Sequence, residues 1–560
     1  MKKRRKALSL IMALMMIMAL VVALPLTASA AGTGSITVSP PSSGSLALAA
    51  DDFEVYKVFD LSYMEGPPES YAYTPVADYS GFTPTDPDAK IVWIWMNADS
   101  RTDAPTGLGG TLDAAMVTLS KELWKFIESN GIDPVTTASK TLSGDNVKIS
   151  GLDSGYYLVS GGGNATGNNP ATVGSVCILI SVTDGNDSEM ALKADAPTIK
   201  KWVYDPDETG TPFDPNIIRN ADYVKTTGWV KWTDQAIGDN VWFKLDSAVP
   251  DMMGYDTYTY TVHDKMQPGL LFNSSSVKVY IDGAEKTSGY TVSLNPTDGC
   301  TFDIAFDPSD FVTLTKGAKI EIIYSAKLDF ENALIYTNHN DNTVYLEYSN
   351  NPKTGHEDET GNTPEDTVWV YTYSFDVFKY TGDLANSPTA LPGAEFVLIT
   401  NKPDYPPGVD VEDPGTWLPG VPITFTYNAV TGVYRYDPDS ANYTLTSGDD
   451  GMIKVEGLDE GTYFLMETKA PEGYNRLPND ATLGVGIYNF VGDRMALDTD
   501  QTDKMTLNGD APNVIGIENN AGTVFPSTGG IGRTIFIVIG LTVMAGAAVT
   551  LIVRRKVTDK

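Results

Sequence analysis

Residues 463–474, YFLMETKAPEGY, combine a strand pattern with a turn, and the rest of the chain can be interpreted outward from them. Tyr463, Leu465 and Glu467 occupy alternate positions, so in a strand their side chains share one face. The Pro and Gly that follow are typical of a turn. The stretch therefore predicts a strand that carries a glutamate on the same face as apolar side chains.

The chain around this strand has the pattern of an all-β protein. Residues 344–348 (VYLEY) and 375–380 (FDVFKY) alternate in the same way, and turn dipeptides recur between such runs. Short alternating runs separated by turns favour β-sandwich domains. Residues 111–130 instead repeat their apolar side chains at helical spacing and end at Gly131. We expect three tandem β-sandwiches, with one amphipathic helix in the first.

Composition excludes several classes of protein. The 560 residues include 39 basic and 72 acidic side chains, a formal charge of −33, which disfavours binding to nucleic acid. A hydrophobic fraction of 42% is too high for a disordered chain. Two cysteines, Cys177 and Cys300, exclude a disulfide scaffold, and we expect both to be unpaired. With three histidines, a histidine-based metal or catalytic site is disfavoured, and no cofactor or metal is expected.

The N-terminus has the three parts of a secretory signal peptide. Basic residues 2–6 precede an apolar run over about 7–24, and small residues follow at Ala28 and Ala30. This order predicts export and cleavage after Ala30.

The C-terminus has a second apolar run, residues 534–553, which is long enough to span a bilayer as a helix. A basic tail follows it and is expected on the cytoplasmic side. Just before the run, FPSTG makes the arrangement similar to the LPxTG cell-wall sorting signal of Gram-positive surface proteins. The motif residues are Phe525, Pro526, Ser527, Thr528 and Gly529. This resemblance implies that a sortase cuts after Thr528, with Phe525 standing where the family has Leu.

Changes in composition divide the chain into segments. The predicted segments are a signal peptide (1–30), an N-terminal domain (31–195), a second domain (196–354), a polar linker (355–368), a third domain (369–522) and the sorting signal (523–560).

The opening stretch also resembles a family motif. Its residues match the E-box of sortase-assembled pilins, YxLxETxAPxGY, at every fixed position, and the segment from Phe375 to Phe396 resembles the start of a Cna B-type domain. In that family, a lysine on the first strand bonds covalently to an asparagine on the last, and a glutamate promotes the reaction. The resemblance implies these roles for Lys379, Asn519 and Glu467.

The residue types are consistent with that chemistry. Lys379 is in phase with apolar residues of its strand, and Asn519 is in phase with Ile515 and Ile517, so both are expected to face a core. Burial disfavours the charged forms of lysine and glutamate. A neutral amine is a nucleophile, and protonated Glu467 could polarise the carboxamide and pass its proton to departing ammonia.

The second domain is similar to the fimbrial isopeptide-forming domain of backbone pilins. The phrase around Asp264 matches the promoting acid of that domain, which makes Asp264 the candidate acid. Lys201 is the candidate lysine, because it shares a face with Ile199 and Val203. Asn342 is the candidate acceptor. Asn338 and Asn350 remain alternative acceptors.

Pilin polymers of this family form when a sortase joins the C-terminal threonine of one subunit to a lysine of the next. In the family, that lysine often lies in a YPKN-like phrase just before the middle domain. Residues 190–197, at the boundary between the first and second domains, match this phrase loosely and contain Lys193, the candidate polymerisation lysine. In the first domain, Lys57 could serve as a crosslink lysine, but no acid-bearing phrase accompanies it.

Together these resemblances imply a structural protein rather than an enzyme: a secreted backbone pilin, peptidoglycan-anchored and displayed in a cell-surface pilus. Its partners would be pilin-specific and housekeeping sortases, copies of itself, minor pilins, peptidoglycan and host surface ligands, with no nucleic acid. The alternative is a monomeric wall-anchored adhesin that binds host matrix or glycan through its first domain.

Overall fold

The computed structural model describes residues 33–521 except 41–45, 65–69, 99–104, 166–171, 174–177, 184–185, 193–195, 207–227, 253, 337, 352–358, 401–421, 478–482, 488–495, 498–504 and 509–510. The predicted signal peptide, Lys193, Cys177 and the sorting signal lie outside the described residues. None of the helices within the described ranges is long and apolar enough to span a bilayer, and the span predicted at 534–553 lies outside them.

The first unit consists of two sheets and two helices. Its strands are Gly34–Ser39 (β1), Leu46–Met64 (β2), Ser70–Pro75 (β3), Ser139–Ser143 (β4), Asn146–Leu152 (β5), Gly155–Ala165 (β6), Thr172–Val173 (β7), Ile178–Val182 (β8) and Asp187–Ala191 (β9). One sheet has the order β4-β5-β1-β9, and the other β3-β2-β6-β7 with β8 also paired to β6.

The helices of this unit are Pro87–Met96 (α1) and Leu112–Asn130 (α2), with a 3-10 turn at Ala77–Tyr79. The predicted helix is α2. Its end groups are capped by the Thr111 hydroxyl, which accepts from the Ala114 amide, and by Gly131 in the left-handed conformation (φ 60°).

The prediction of one amphipathic helix corresponds to α2, and the structure adds a second helix, α1, which the sequence analysis did not predict. Its sequence, PDAKIVWIWM, is rich in β-branched and aromatic residues and has no clear polar face, so periodicity did not distinguish it from a strand. Asp86 caps its N-terminus by accepting from the Asp88 and Ala89 amides.

The second unit is a sandwich of a six-stranded and a seven-stranded sheet. Its elements are Ile199–Tyr204 (β10), Trp229–Val230 (β11), Trp232–Asp234 (β12), Asn240–Ala248 (β13), Tyr260–Met266 (β14), Leu270–Ile281 (β15), Ala284–Lys286 (β16), Tyr290–Leu294 (β17), Phe302–Phe306 (β18), Pro308–Phe311 (α3), Lys319–Leu328 (β19), Asn340–Ser349 (β20), Thr360–Asn362 (β21) and Asp366–Tyr371 (β22). The sheet orders are β11-β10-β13-β19-β15-β16 and β12-β22-β20-β14-β18-β17, with β21 paired to β20. Part of the predicted linker, 355–368, therefore lies in the second sheet.

The third unit is a smaller sandwich. Its strands are Tyr373–Thr381 (β23), Thr389–Ala390 (β24), Glu395–Ile399 (β25), Phe425–Asn428 (β26), Val433–Tyr436 (β27), Leu445–Thr446 (β28), Met452–Leu458 (β29), Gly461–Lys469 (β30), Leu483–Ile487 (β31), Ala496–Leu497 (β32), Met505–Asn508 (β33) and Ala511–Glu518 (β34). The sheet orders are β26-β27-β29-β23-β34-β33, with β24 paired to β23, and β28-β25-β30-β31-β32.

The predicted all-β architecture is thus confirmed. The core of the third unit is filled by alternate residues of facing strands, including Phe375 and Val377 from β23 and Leu465 from β30. Because side chains alternate, the next inward positions on these strands, Lys379 and Glu467, also enter that core.

The second and third units are joined by more than the chain. Just beyond β12, the Ile237 amide of the second unit donates to the Gly457 carbonyl of the third unit at 3.0 Å. The Glu460 amide donates to the Asp234 carboxylate at 2.9 Å. The end of β12 and the residues just after it therefore contact the end of β29 and the β29–β30 turn of the third unit directly.

Gly457 should be essential to this contact. Its φ is +89°, and a Cβ there would lie 2.5 Å from Ile237 Cδ1. We expect Gly457→Ala to lower the free energy of unfolding by about 2–4 kcal/mol, from backbone strain plus overpacking. Gly393→Ala is the matched control: its φ is +80° but nothing lies within 4 Å of the added Cβ, so about 1 kcal/mol is expected. Calorimetric unfolding of both variants checks this, and equal losses would contradict it.

Candidate functional site

In the third unit, the two sheets bring a lysine, a glutamate and an asparagine together in the buried core. Lys379 comes from β23, Glu467 from β30 of the facing sheet, and Asn519 from the residue that follows β34. The side chains of Lys379 and Glu467 are fully buried, and Asn519 is 1% exposed. β23 and β34 run in parallel with Lys379 opposite Ile517, which places Asn519 beside the lysine.

The contacts within this cluster connect all three side chains. Lys379 Nζ donates to Asn519 Oδ1 and, at 3.3 Å, to the Ile517 carbonyl. Glu467 Oε1 lies 3.4 Å from Lys379 Nζ and accepts from Asn519 Nδ2 at 2.9 Å. The second carboxylate oxygen of Glu467 accepts from the Leu477 amide at 2.7 Å. The carboxyl group therefore touches both the amine and the amide nitrogen of the asparagine.

Burial also changes the acidity of the lysine. Removal from water lowers the pKa of Lys379 to about 8, and the nearby Glu467 carboxylate only partly opposes this effect. With a pKa of about 8, roughly a tenth of the amine is neutral at pH 7, and a neutral amine carries the lone pair that a nucleophile needs.

The second unit contains a corresponding cluster. Lys201 on β10 faces Asp264 on β14 and Asn342 on β20, and all three are fully buried between the sheets. Lys201 Nζ lies 2.5 Å from Asp264 Oδ2. Burial lowers the pKa of Lys201 to about 8 against the opposing charge of Asp264, and burial raises the pKa of Asp264.

Tyr324, which the sequence analysis did not single out, connects this cluster. Its hydroxyl donates to Asp264 Oδ2 at 2.5 Å and accepts from Asn342 Nδ2 at 3.3 Å. Asn342 Oδ1 has no hydrogen-bond partner among the described residues. Tyr324 thus links the carboxyl group of Asp264 to the amide nitrogen of Asn342, while the Asn342 carbonyl oxygen accepts no hydrogen bond from the described residues. Its inward phase with Ile320 and Ile322 on β19 is the sequence signal that could have indicated it.

The alternative acceptors lie elsewhere. Asn338 is exposed, and Asn350 is half-buried just beyond the end of β20. Asn340 is fully buried but its amide bonds to backbone groups, with Oδ1 accepting from the Leu334 amide at 2.9 Å. Of these side chains, only Asn342 is connected to the Lys201–Asp264 pair, through the Tyr324 hydroxyl.

In the first unit, Lys57 does not form such a cluster. Its Nζ lies 2.6 Å from Asp60 Oδ1, and the two side chains are 21% and 56% exposed. This is an ordinary surface ion pair. Lys193 and residues 525–529 lie outside the described residues, so the structure gives no geometry for the polymerisation lysine or the sorting motif.

Comparisons with known proteins bear on the same regions. Residues 385–488 match the model of the SpaA prealbumin-like fold domain, and residues 517–560 match the LPXTG cell wall anchor motif. The chain is 26% identical over 408 residues to the trypsin-resistant surface T6 protein of Streptococcus pyogenes serotype M6, covering 65% of this chain and 70% of that protein.

The anchor match confirms the predicted cell-wall attachment. Together, the matches support the prediction of a backbone pilin. Similar solved structures include the T6 backbone pilin of serotype M6 Streptococcus pyogenes (18% identity, 82% of this chain and 81% of that chain, TM-score 0.46). The full-length major pilin SpaD of Corynebacterium diphtheriae is another (16% identity, 88% and 98%, TM-score 0.45).

The lowered lysine pKa predicts a pH dependence for any reaction of the Lys379 amine. Refolding of unreacted chain should give a reaction rate that rises about tenfold per pH unit below about 8 and levels off above it, because only the neutral amine attacks. Intact mass followed over time after refolding at fixed pH values measures this. A rate that is independent of pH between 6 and 8 would contradict it.

Proposed function

We propose that this protein is the covalently polymerised shaft subunit of a pilus, and that its second and third units each form an internal Lys–Asn amide bond. The observation that carries the proposal is the burial of Lys379 against Glu467 and Asn519, and of Lys201 against Asp264, which Tyr324 connects to the buried Asn342. A lysine is almost never fully buried unless it is paired, and two such clusters in one chain favour a chemical role over a chance arrangement.

The proposed reaction in the third unit balances without a cofactor. The neutral amine of Lys379 attacks Cγ of Asn519, the C–N bond of the carboxamide breaks, and ammonia leaves. Glu467 accepts the proton that the attacking amine loses and delivers it to the leaving nitrogen. Its contacts with both nitrogens support this shuttle role. In the second unit, Asp264 contacts Lys201 directly and is connected to the amide nitrogen of Asn342 through the Tyr324 hydroxyl. We assign Asp264 the same role, with Tyr324 as the relay to the leaving nitrogen.

The product removes a buried charge and closes a large covalent loop. Lys379 and Asn519 are 140 residues apart in the chain. A crosslink over such a loop restricts the unfolded chain, as a disulfide does, and is expected to stabilise the unit by on the order of 4–5 kcal/mol.

Assembly is proposed to use sortase chemistry at the chain ends. A sortase cuts after Thr528 and joins its carboxyl group to Lys193 of another copy, while a housekeeping sortase attaches the last subunit to peptidoglycan. The anchor match over residues 517–560 supports the first step. The protein acts as a structural substrate of these enzymes and does not turn over a substrate itself.

Loss of mass tests the internal bonds. Each bond removes one ammonia, about 17 Da, so protein extracted from cell walls should contain crosslinked Lys201–Asn342 and Lys379–Asn519 peptides. Asp264→Asn and Glu467→Gln should each abolish one bond and leave the other, because each acid contacts only its own lysine. Glu467→Gln should also lose stability on the order of 4–5 kcal/mol.

Glu395→Gln serves as the matched control, because Glu395 pairs with Lys469 at the surface of the same unit. It should retain both bonds. Tyr324→Phe tests positioning: the Lys201–Asn342 bond should form more slowly with no change in the third unit. If the wild-type mass equals that of the uncrosslinked chain, neither cluster reacts.

Polymerisation is tested on cell-wall extracts. The wild type should give a high-mass ladder on denaturing gels, and Lys193→Ala should reduce the ladder to a single anchored band, since the acceptor amine is lost. Lys200→Ala is the control, because Lys200 is an exposed lysine close to the same boundary. Thr528→Ala should prevent both polymerisation and anchoring. A single band in the wild type would instead favour the monomeric adhesin.

A further inference from the structure

The second unit has another cluster of chemically active side chains. It lies on its seven-stranded sheet, on the face opposite the one that carries Asp264. His263 is adjacent to Asp264 on β14, so its side chain points away from the buried lysine cluster. Asp303 lies directly opposite His263 on β18, and Asp298 and Cys300 belong to the turn between β17 and β18. One side of this hairpin therefore brings together a histidine, a cysteine and two aspartates.

The potential ligand atoms converge closely. His263 Nδ1 lies 2.8 Å from Asp298 Oδ2 and 2.9 Å from Asp303 Oδ1. One donor atom from each of the four residues, including the sulfur of Cys300, lies within 4.8 Å of the other three. In a tetrahedral zinc site with bonds of 2.0–2.3 Å, ligand atoms are roughly 3.3–3.8 Å apart. Small side-chain shifts would therefore bring these atoms to zinc-binding separations.

Hydrogen bonding alone does not satisfy this cluster. A ring nitrogen carries at most one hydrogen, yet two carboxylate oxygens approach His263 Nδ1. Asp303 Oδ1 is buried and has no hydrogen-bond partner within the described part of the chain. A buried acceptor without a donor is costly, and a cation placed between these oxygens, the nitrogen and the sulfur would remove that cost.

The surroundings are those of a metal-binding histidine. Nε2, the other ring nitrogen of His263, lies 3.5 Å from Glu347 Oε2, and a carboxylate in that position commonly orients a metal-bound imidazole. The ring stacks on Tyr345 with centroids 4.6 Å apart, which fixes its plane. Asp298 is exposed while Cys300 is buried, so an ion can enter from solvent on the aspartate side.

We propose that His263, Asp298, Cys300 and Asp303 form a binding site for a divalent transition-metal ion of the zinc class. One nitrogen, one sulfur and two carboxylate oxygens match the preferences of Zn²⁺, whereas Ca²⁺ and Mg²⁺ select oxygen ligands alone. The ion would connect β14 to the β17–β18 hairpin. This site is independent of the proposed amide bonds, since its ligands lie on the other face of the sheet.

Co²⁺ is a suitable probe, because it binds at zinc sites and its absorption spectrum depends on its ligands. The full-length protein, freed of metal by chelation and titrated with Co²⁺, should bind one equivalent and show tetrahedral d–d bands together with a thiolate-to-cobalt charge-transfer band. Zn²⁺ should displace the cobalt and raise the melting temperature. Absence of the charge-transfer band in the unaltered protein would overturn the proposal without recourse to any variant.

Variants then assign the ligands. Cys300→Ser should remove the charge-transfer band, and Cys177→Ser, which alters the other cysteine of the chain, should keep it. His263→Ala should abolish binding, whereas His339→Ala should not. His339 also pairs with a carboxylate, Asp341 Oδ1 at 2.5 Å, and is the matched control.

Glu347→Gln should weaken zinc affinity by about 10–100-fold while leaving the cobalt spectrum of the saturated site intact. Circular dichroism confirms that each variant is folded. A protein that binds no metal, with His263 only an imidazolium among carboxylates, would contradict the proposal.

Discussion

A lysine amine enclosed between two sheets must find a partner within the protein, and this constraint shapes the second and third units. Both lysine side chains are fully buried, so charge on either amine must be stabilised by neighbouring protein groups. These groups are Asp264 beside Lys201, and Glu467, Asn519 and the Ile517 carbonyl beside Lys379. To supply those groups, facing strands must keep an inward acid and an inward asparagine in register with the lysine. In the third unit, this requirement is met by the parallel register of β23 with β34, which places the asparagine beside the lysine. It is also met by the position of β30 in the facing sheet, which supplies the acid.

Alternation along single strands was sufficient to predict which face of its strand each of several key side chains occupies. It placed Glu467 on the same face as Tyr463 and Leu465, and in the structure Leu465 and Glu467 are both buried in the third unit. The same reasoning chose Lys201 over Lys200, and these are buried and exposed respectively. Alternation works here because a strand's period of two leaves only two choices for each side chain.

Features that depend on contacts between distant strands were beyond that reasoning. Tyr324 lies on a strand that is apolar along most of its length, and its role becomes visible only when β19 faces β14 and β20. The His263 cluster joins residues up to 40 positions apart in the sequence, so no local motif indicated it. The low histidine content had also disfavoured a metal site. The ten-residue helix α1 was missed for a different reason, since its composition resembles that of a strand.

The parallel pairing of β23 with β34 has a mechanical consequence. The chain enters the third unit at one end of β23 and leaves after β34 at the other end, so tension along the fibre pulls on these two strands in opposite directions. In the product proposed above, with Lys379 bonded to Asn519, that tension would cross the new amide directly. The residues between them, 380–518, then form a loop outside the line of force, and the unit can be stretched no further than the few residues on either side of the bond allow.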